Sequence, residues 1–345
     1  MSLETVAEVA PPPAPHRPWT GWARYVLAKA GGALVSMVAV VFSGFFVFRI
    51  LPGDPVCALT RDRPVTPEQM ADLRRQYGLD QPLIEQFGDY LVRVFSGDLG
   101  TSYQYNAPVT ELIAHDLWAT VLLVGSATVV SAALGLRLGI SGAWHRGGFA
   151  DRLNTGVALT LWSVPTFWLG LLLITVLAVG IGPLPGLFPT GGMNSAGVDG
   201  FLPTLLDQLH HLVLPCLTLV AVIYAQYLLI MRAALLDEMG SDYLVTARAK
   251  GLRDAVVRRR HAVPNALLPT VTLIFLNLGG VVSGAILVET VFSWPGLGSL
   301  FYEALTVPDA PLLEGLFIFF AAAVILMNLA ADLLYPVLDP RVRPR

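Results

Sequence analysis

The chain has 345 residues, of which 54% are hydrophobic and only 14% charged, with a formal net charge of −3 and a mean hydropathy of +0.63. A water-soluble domain carries about 25% charged residues, so a soluble globular protein is excluded, and the slightly acidic balance argues against nucleic acid as a partner. Two cysteines, Cys57 and Cys216, are too few for a disulfide framework, and no metal-ligand spacing occurs.

In chain order, residues 1–24 read as a polar tail whose Pro11-Pro12-Pro13 run opposes folding. The apolar stretch that follows is too long for a signal-peptide core and lacks a clear cleavage site. Six continuous apolar blocks then occur, at about 25–51, 117–144, 154–181, 212–235, 266–291 and 312–336. Each is near or above the ~20 residues a helix needs to cross ~30 Å of hydrocarbon. None alternates as a barrel strand does, so the expected fold is an all-α membrane protein with six transmembrane helices.

The outer region 52–112 is expected to contain two helices. Thr66 and Gln69 have capping-box spacing around Pro67, and Gly78 can end that helix after Tyr77. After Pro82, residues Leu83, Phe87, Tyr90, Leu91 and Val94 recur at helical spacing. These helices are expected to lie on the outer face of the bundle, as a landing surface or as a cap packed on the spans.

Arg and Lys set the orientation. Arg17, Arg24 and Lys29 precede or open the first block, and Arg146 and Arg152 lie between the second and third. Arg248, Lys250, Arg253 and the run Arg258-Arg259-Arg260 fall between the fourth and fifth, and Arg341, Arg343 and Arg345 end the chain. Segments 182–211 and 292–311 contain neither residue. The positive-inside rule therefore predicts that both termini and the 236–265 loop are cytoplasmic.

That loop carries a short bounded helix. Ser241 and Asp242 suit an N-cap and first-turn acid, Arg248 and Lys250 suit the C-terminal turn, and Gly251 suits the left-handed residue that ends it. Tyr243 and Ala247, four apart, share one face and read as an aromatic anchor beside a small contact residue for a partner.

Absences narrow the function further. The only lysines are Lys29-Ala30 and Lys250-Gly251, so no Gly-Lys-Ser/Thr phosphate loop exists. Ionisable residues avoid the block centres, which disfavours a proton-coupled carrier. Arg49, Arg137, Arg232, Glu289, Glu314 and Asp332 lie towards block ends, where snorkelling is the cheaper placement. Gly139-Ile140-Ser141-Gly142 matches the short pattern of rhomboid proteases, an intramembrane serine protease class, but no histidine is evidently placed as a base. Small residues in membrane helices more often serve close packing, as expected of Gly280 and Gly284. Pro165 and Pro215 are expected helix kinks.

The loop helix, with Gly251 and Pro264 thirteen residues later, resembles the signature loop of ABC-importer membrane subunits. Its wording, Asp-Tyr-x-x-Thr-Ala-Arg-Ala-Lys-Gly-Leu from Asp242, is similar to the oligopeptide/dipeptide/nickel permease branch. Leu51-Pro52-Gly53-Asp54-Pro55, Gly97-Asp98-Leu99-Gly100-Thr101-Ser102, Ser163-Val164-Pro165-Thr166-Phe167, the run Glu289 to Gly298, and Asp339-Pro340-Arg341 agree with it. The placing of Leu51–Pro55 resembles the B-type subunit, while Val245 replaces the acidic residue that opens the loop in many importers.

The resemblance implies the type I ABC-importer fold. It divides the chain into a cytoplasmic tail (1–24), a first transmembrane helix (25–51), an extracytoplasmic region (52–112), the importer transmembrane domain (113–336) and a cytoplasmic tail (337–345). It implies a non-catalytic permease subunit in the cell membrane that imports peptides, with nickel or glutathione as the alternative cargo. The implied partners are a homologous permease, two ATPases that hold ATP and Mg, and an extracytoplasmic peptide-binding protein. The coupling residues it implies are Asp242, Tyr243, Ala247, Arg248, Ala249, Lys250, Gly251 and Pro264.

Overall fold

A computed structural model describes residues 18–50, 66–76, 80–282 and 285–338. The Leu51–Pro55 motif, Cys57, Gly284, Asp339-Pro340-Arg341 and both extreme termini lie outside the described residues.

Among the described residues the regular structure is helical apart from one hairpin of two-residue strands and an isolated bridge between Thr101 and Pro108, in agreement with the all-α class. Helix α1 (Pro18–Ile50) is followed in the outer region by α2 (Pro67–Gln76) and α3 (Leu83–Ser96). The predicted capping box forms: the Gln69 amide donates to Thr66 Oγ1 at 3.3 Å, and the Thr66 amide donates to Gln69 Oε1 at 3.0 Å. Phe87, Tyr90, Leu91 and Val94 of α3 pack against Val41 and Phe45 of α1 and Ile318 near the chain's end. That face is therefore occupied within the chain.

Two long helices form the centre. Helix α4 (Val109–Trp144) has 36 residues and α7 (Phe201–Met239) has 39, about 54 and 58 Å at 1.5 Å per residue. Both exceed the blocks predicted at 117–144 and 212–235, because their polar-flanked ends project beyond any ~30 Å hydrocarbon layer. Pro215 lies within α7, which continues past it. The two helices touch along a glycine seam. A Cβ on Gly135 would fall 2.5 Å from Tyr227 Cβ, and one on Gly139 would fall 2.7 Å from the Leu228 carbonyl oxygen.

The third and fifth blocks are not single straight helices. Helix α5 (Phe149–Trp162) and α6 (Thr166–Leu173), continued by a π-helical turn over Ile174–Val179, meet at a bend of 100°. Val164-Pro165 makes the break, since proline disfavours helical geometry in the residue before it. The hairpin β1 (Gly180–Ile181) and β2 (Leu184–Pro185) follows.

Beyond α7 comes α8 (Asp242–Ala249), then α9 (Asp254–Val257), a π-helical turn over Arg258–Ala262 and α10 (Val263–Ala266). Helix α11 (Leu268–Val282) has 15 residues, about 22 Å, too short to cross alone. Helix α12 (Ile286–Val291), α13 (Leu297–Thr306) and α14 (Ala310–Leu338) complete the chain. Among the described residues, four helices thus have the length and apolarity to cross a membrane, or five elements if α5–α6 is one span.

Three ionisable residues expected to snorkel are instead tied into the protein. Arg232 makes a two-point ion pair with buried Asp151, Nε to Oδ1 at 2.7 Å and Nη2 to Oδ2 at 2.8 Å. Asp332 pairs with Lys29 of α1 at 3.0 Å. Glu289 is fully buried. Its Oε2 accepts the Ser299 amide at 2.9 Å, and its Oε1 accepts the Thr120 hydroxyl at 3.1 Å. Thr120 Oγ1 in turn accepts the Leu297 amide at 2.7 Å. The carboxylate therefore supplies the N-terminal acceptor of α13 that Gly296, lacking a side chain, cannot.

The Gly97–Ser102 motif forms a loop fastened to Asp309. Ser102 Oγ donates to Asp309 Oδ2 at 2.6 Å, and the Gln104 amide donates to the same oxygen at 2.9 Å. The seam yields a direct expectation. Gly135→Val should overpack the α4–α7 contact and cost about 1–3 kcal/mol, read as a lower melting temperature of the purified protein. Gly125→Ala, on the same helix with open space around it, should leave that temperature unchanged.

Candidate functional site

Helix α8 is held at the end of the α4–α7 pair by one apolar cluster. Leu244 and Ala247 are buried with Ala143, Met231, Leu235, Val257, Ala262 and Ala266, and Tyr243 packs alongside. Leu244 and Ala247 are three apart and therefore share a face. Tyr243 adds a polar clasp: its hydroxyl donates to Glu238, accepts from Asn265 Nδ2 at 2.8 Å, and lies 3.2 Å from the His261 carbonyl oxygen. Burial, and Glu238 as acceptor, push this phenol above its ordinary pKa.

The face pairing Tyr243 with Ala247 exists, but it points into the chain's own bundle. Within the chain, Tyr243 and Ala247 are thus engaged by contacts to its own helices. The opposite face carries Asp242, Val245, Thr246 and Ala249, all exposed. At 100° per residue these four fall within one arc of about 100°. It is a low, largely uncharged surface with Val245 at one edge and Ala249 near its middle.

The ends of α8 are defined. Ser241 occupies the N-cap position in extended geometry, but its hydroxyl donates back to the Glu238 carbonyl at 2.6 Å rather than accepting from the helix. Gly251 has φ +80°, the left-handed conformation predicted for it, and its amide reaches the Arg248 carbonyl at 2.9 Å. Lys250 and Pro264 are exposed, and Pro264 lies in α10 beside Asn265.

Arg248 turns away from the Val245 face. It approaches Asp254 at 3.6 Å, and its guanidinium stands 6.0 Å from the Trp144 ring centroid. Arg258 stands 5.7 Å from that ring, and Trp144 Nε1 donates to Asp254 Oδ2 at 2.8 Å. Part of the basic loop is therefore ordered around an aromatic ring at the end of α4. Trp144, Glu238, Asp254 and Asn265 received no role from the sequence. Asn265 follows Pro264 directly, and as a polar residue among apolar ones it was the legible signal.

Between the central helices lies a cleft of about 400 Å³, lined by Val124, Thr128, Thr166, Leu219, Ile223 and Asn277 among others. Its lining is mostly apolar, and Asn277 Nδ2 donates to Tyr227 at 2.9 Å. No group of three or more His, Cys, Asp or Glu that could hold a metal occurs among the described residues. In the Gly139–Gly142 stretch, His145 Nδ1 lies 3.2 Å from the Ser141 carbonyl oxygen, and both glycines serve as contacts for α7 or its Asp151 partner.

Comparison with known proteins identifies the architecture. Residues 135–344 match the family described as binding-protein-dependent transport system inner membrane component, and residues 22–124 match its N-terminal part. A dipeptide transport system permease protein of Escherichia coli (strain K12) is 36% identical over 337 residues, covering 93% of this chain and 98% of the relative. A dipeptide transport system permease protein of Alkalihalophilus pseudofirmus is 34% identical, covering 90% and 95%. A glutathione transport system permease protein of Salmonella typhimurium is 34% identical, covering 92% and 98%. Matches of this extent to transport proteins leave no support for the serine protease alternative.

Ala247→Arg tests the inward packing of α8. A charged side chain forced among Ala143, Met231, Leu235 and Val257 should cost on the order of 3–5 kcal/mol. The expected readouts are a lower melting temperature and faster proteolysis within 242–262. Unchanged values would refute the packing.

Proposed function

The chain belongs to the binding-protein-dependent transport system inner membrane components, and from that premise we propose that it is one permease subunit of an ATP-driven importer of short peptides. The observation that carries the reading is the exposed Asp242–Val245–Thr246–Ala249 face of a helix clamped to the bundle within an arginine-rich loop. Such a face offers a separate ATPase subunit something rigid to push against. Two ATPases would bind ATP and Mg, a homologous permease would complete the path, and an extracytoplasmic peptide-binding protein would deliver cargo. This subunit performs no chemistry of its own in that arrangement.

Both termini and α8 would face the cytoplasm, following the arginine distribution. Six spans would result if α5–α6 crosses as a bent unit and α11 crosses with the short α12. The proposed division keeps 1–24 and 337–345 as tails, 25–51 as the first span, 52–112 as the outer region and 113–336 as the transport domain. The 400 Å³ cleft, with its sparse hydroxyl and amide groups, suits cargo that shares a peptide backbone but varies in side chain. Short peptides are preferred because the relative with the highest identity quoted above is named for dipeptides. Glutathione is the second reading, since a relative named for it covers nearly as much, and nickel, from the permease-branch resemblance, the third.

Uptake of labelled dipeptide, glutathione and nickel by cells carrying the whole transporter should rank dipeptide first. Val245→Asp should leave the amount and melting temperature of this chain unchanged. It should lower ATPase co-purification and uptake about tenfold, equivalent to ~1.4 kcal/mol of contact. Normal attachment together with normal uptake would overturn the role given to this face. Orientation has its own check: Ala196→Cys and Arg259→Cys, in a background without native cysteines, should label from opposite sides. Labelling of both from outside would reject the topology.

A further inference from the structure

Helix α3 is amphipathic in a way that packing within the chain does not exhaust. One flank, with Phe87, Tyr90 and Val94, lies on α1 and α14. A second flank carries Glu85, Asp89 and Arg93, all exposed. Between them, on the side away from Tyr90, runs an apolar strip in which Ile84, Val92 and Phe95 are each at least 70% exposed. Residues 84, 88, 92 and 95 follow the i, i+4, i+8, i+11 spacing of one helix face.

The strip is continuous with the exposed apolar face of a helix long enough to span a membrane. Helix α1 is apolar enough to cross a membrane, and Phe42 and Phe46 lie on its exposed side. Phe87 of α3 contacts both rings, at centroid distances of 5.8 and 6.2 Å. The outward face of α1 therefore passes through Phe42, Phe46 and Phe87 into the strip of α3 without a charged residue between.

The depth is also right. At 1.5 Å per residue α1 is about 50 Å long, so centring it on a ~30 Å hydrocarbon core leaves about 10 Å beyond each boundary. Phe46 and Phe42 stand about 6 and 12 Å back from the Ile50 end. They bracket that boundary, the level at which amphipathic helices bury their apolar face ~5–10 Å into the headgroup region.

We infer that α3 is an interfacial helix, lying in the leaflet at the Ile50 end of α1 with Ile84, Val92 and Phe95 in lipid and Glu85, Asp89 and Arg93 in water. The occupant of the strip is the bilayer. Fixed on one flank to α1 and α14 and on another to the leaflet, α3 holds the outer region at a set height above the membrane.

Spin labelling tests this directly. Single cysteines replace Ile84, Phe95, Glu85 or Asp89 in the full chain with Cys57 and Cys216 changed to Ser, assembled with its co-purifying subunits in phospholipid nanodiscs. All four positions are exposed, so the labels disturb no packing. Labels at 84 and 95 should collide severalfold more with oxygen, relative to a water-soluble nickel chelate, than labels at 85 and 89. Equal access to the nickel chelate at all four sites would overturn the proposal. Shielding of 84 and 95 from both reagents would also overturn it, because a protein partner would then cover the strip.

Discussion

The close approach of α4 and α7 is the constraint on which the rest of the molecule depends. Gly135 and Gly139 bring the two backbones together, and Gly142 makes room for Asp151, which a Cβ there would meet at 2.8 Å. In hydrocarbon there is no hydrophobic gain from helix association, since lipid tails are as apolar as leucine. What remains is dispersion and polar pairing, both steep functions of distance. The seam supplies the first and the Asp151–Arg232 pair the second. Its far end is where Met231 and Leu235 form the floor on which α8 rests.

A second constraint governs where a helix can be interrupted. Every interruption of a helix inside a membrane frees backbone groups that no water can satisfy. The chain can break after α12 only because a carboxylate is buried there to receive the first amides of α13. Trp294 closes the same corner, its indole donating to the Ala119 carbonyl at 2.9 Å. Glu289, Thr120, Ser299 and Trp294 thus act together as a substitute for solvent. A charged residue at this position is structural, whereas hydropathy alone assigns it to the membrane edge.

Local signals were legible in the sequence and relational ones were not. The Thr66–Gln69 box, the left-handed Gly251 and the apolar character of the blocks each depend on residues within a few positions of one another. Helix class and family followed from them. The destinations of Arg232, Asp332 and Glu289 depend on partners 81, 303 and 169 residues away, Asp151, Lys29 and Thr120, and no periodicity encodes such separations. The orientation of α8 lies between these cases. Its apolar stripe of Leu244 and Ala247 was visible, and it points inward for the same reason any amphipathic helix buries its apolar side.

The inward packing of α8 sets how a push on it would travel. Were Tyr243 and Ala247 the contact surface, the helix would hang from the loop by its ends, and a load would bend the loop first. With those residues inward, α8 is joined to α7 through Leu244 against Leu235 and through Tyr243 to Glu238, and to α10 through Asn265. Close-packed interiors are stiff and transmit displacement rather than absorb it. A load on the Val245 face would therefore move the ends of α4, α7 and α10 together, and α10 leads directly into α11 beside the cleft. The hydroxyl network of Tyr243 makes the joint directional, because sliding α8 along α7 would break hydrogen bonds that a common movement of the two helices leaves intact.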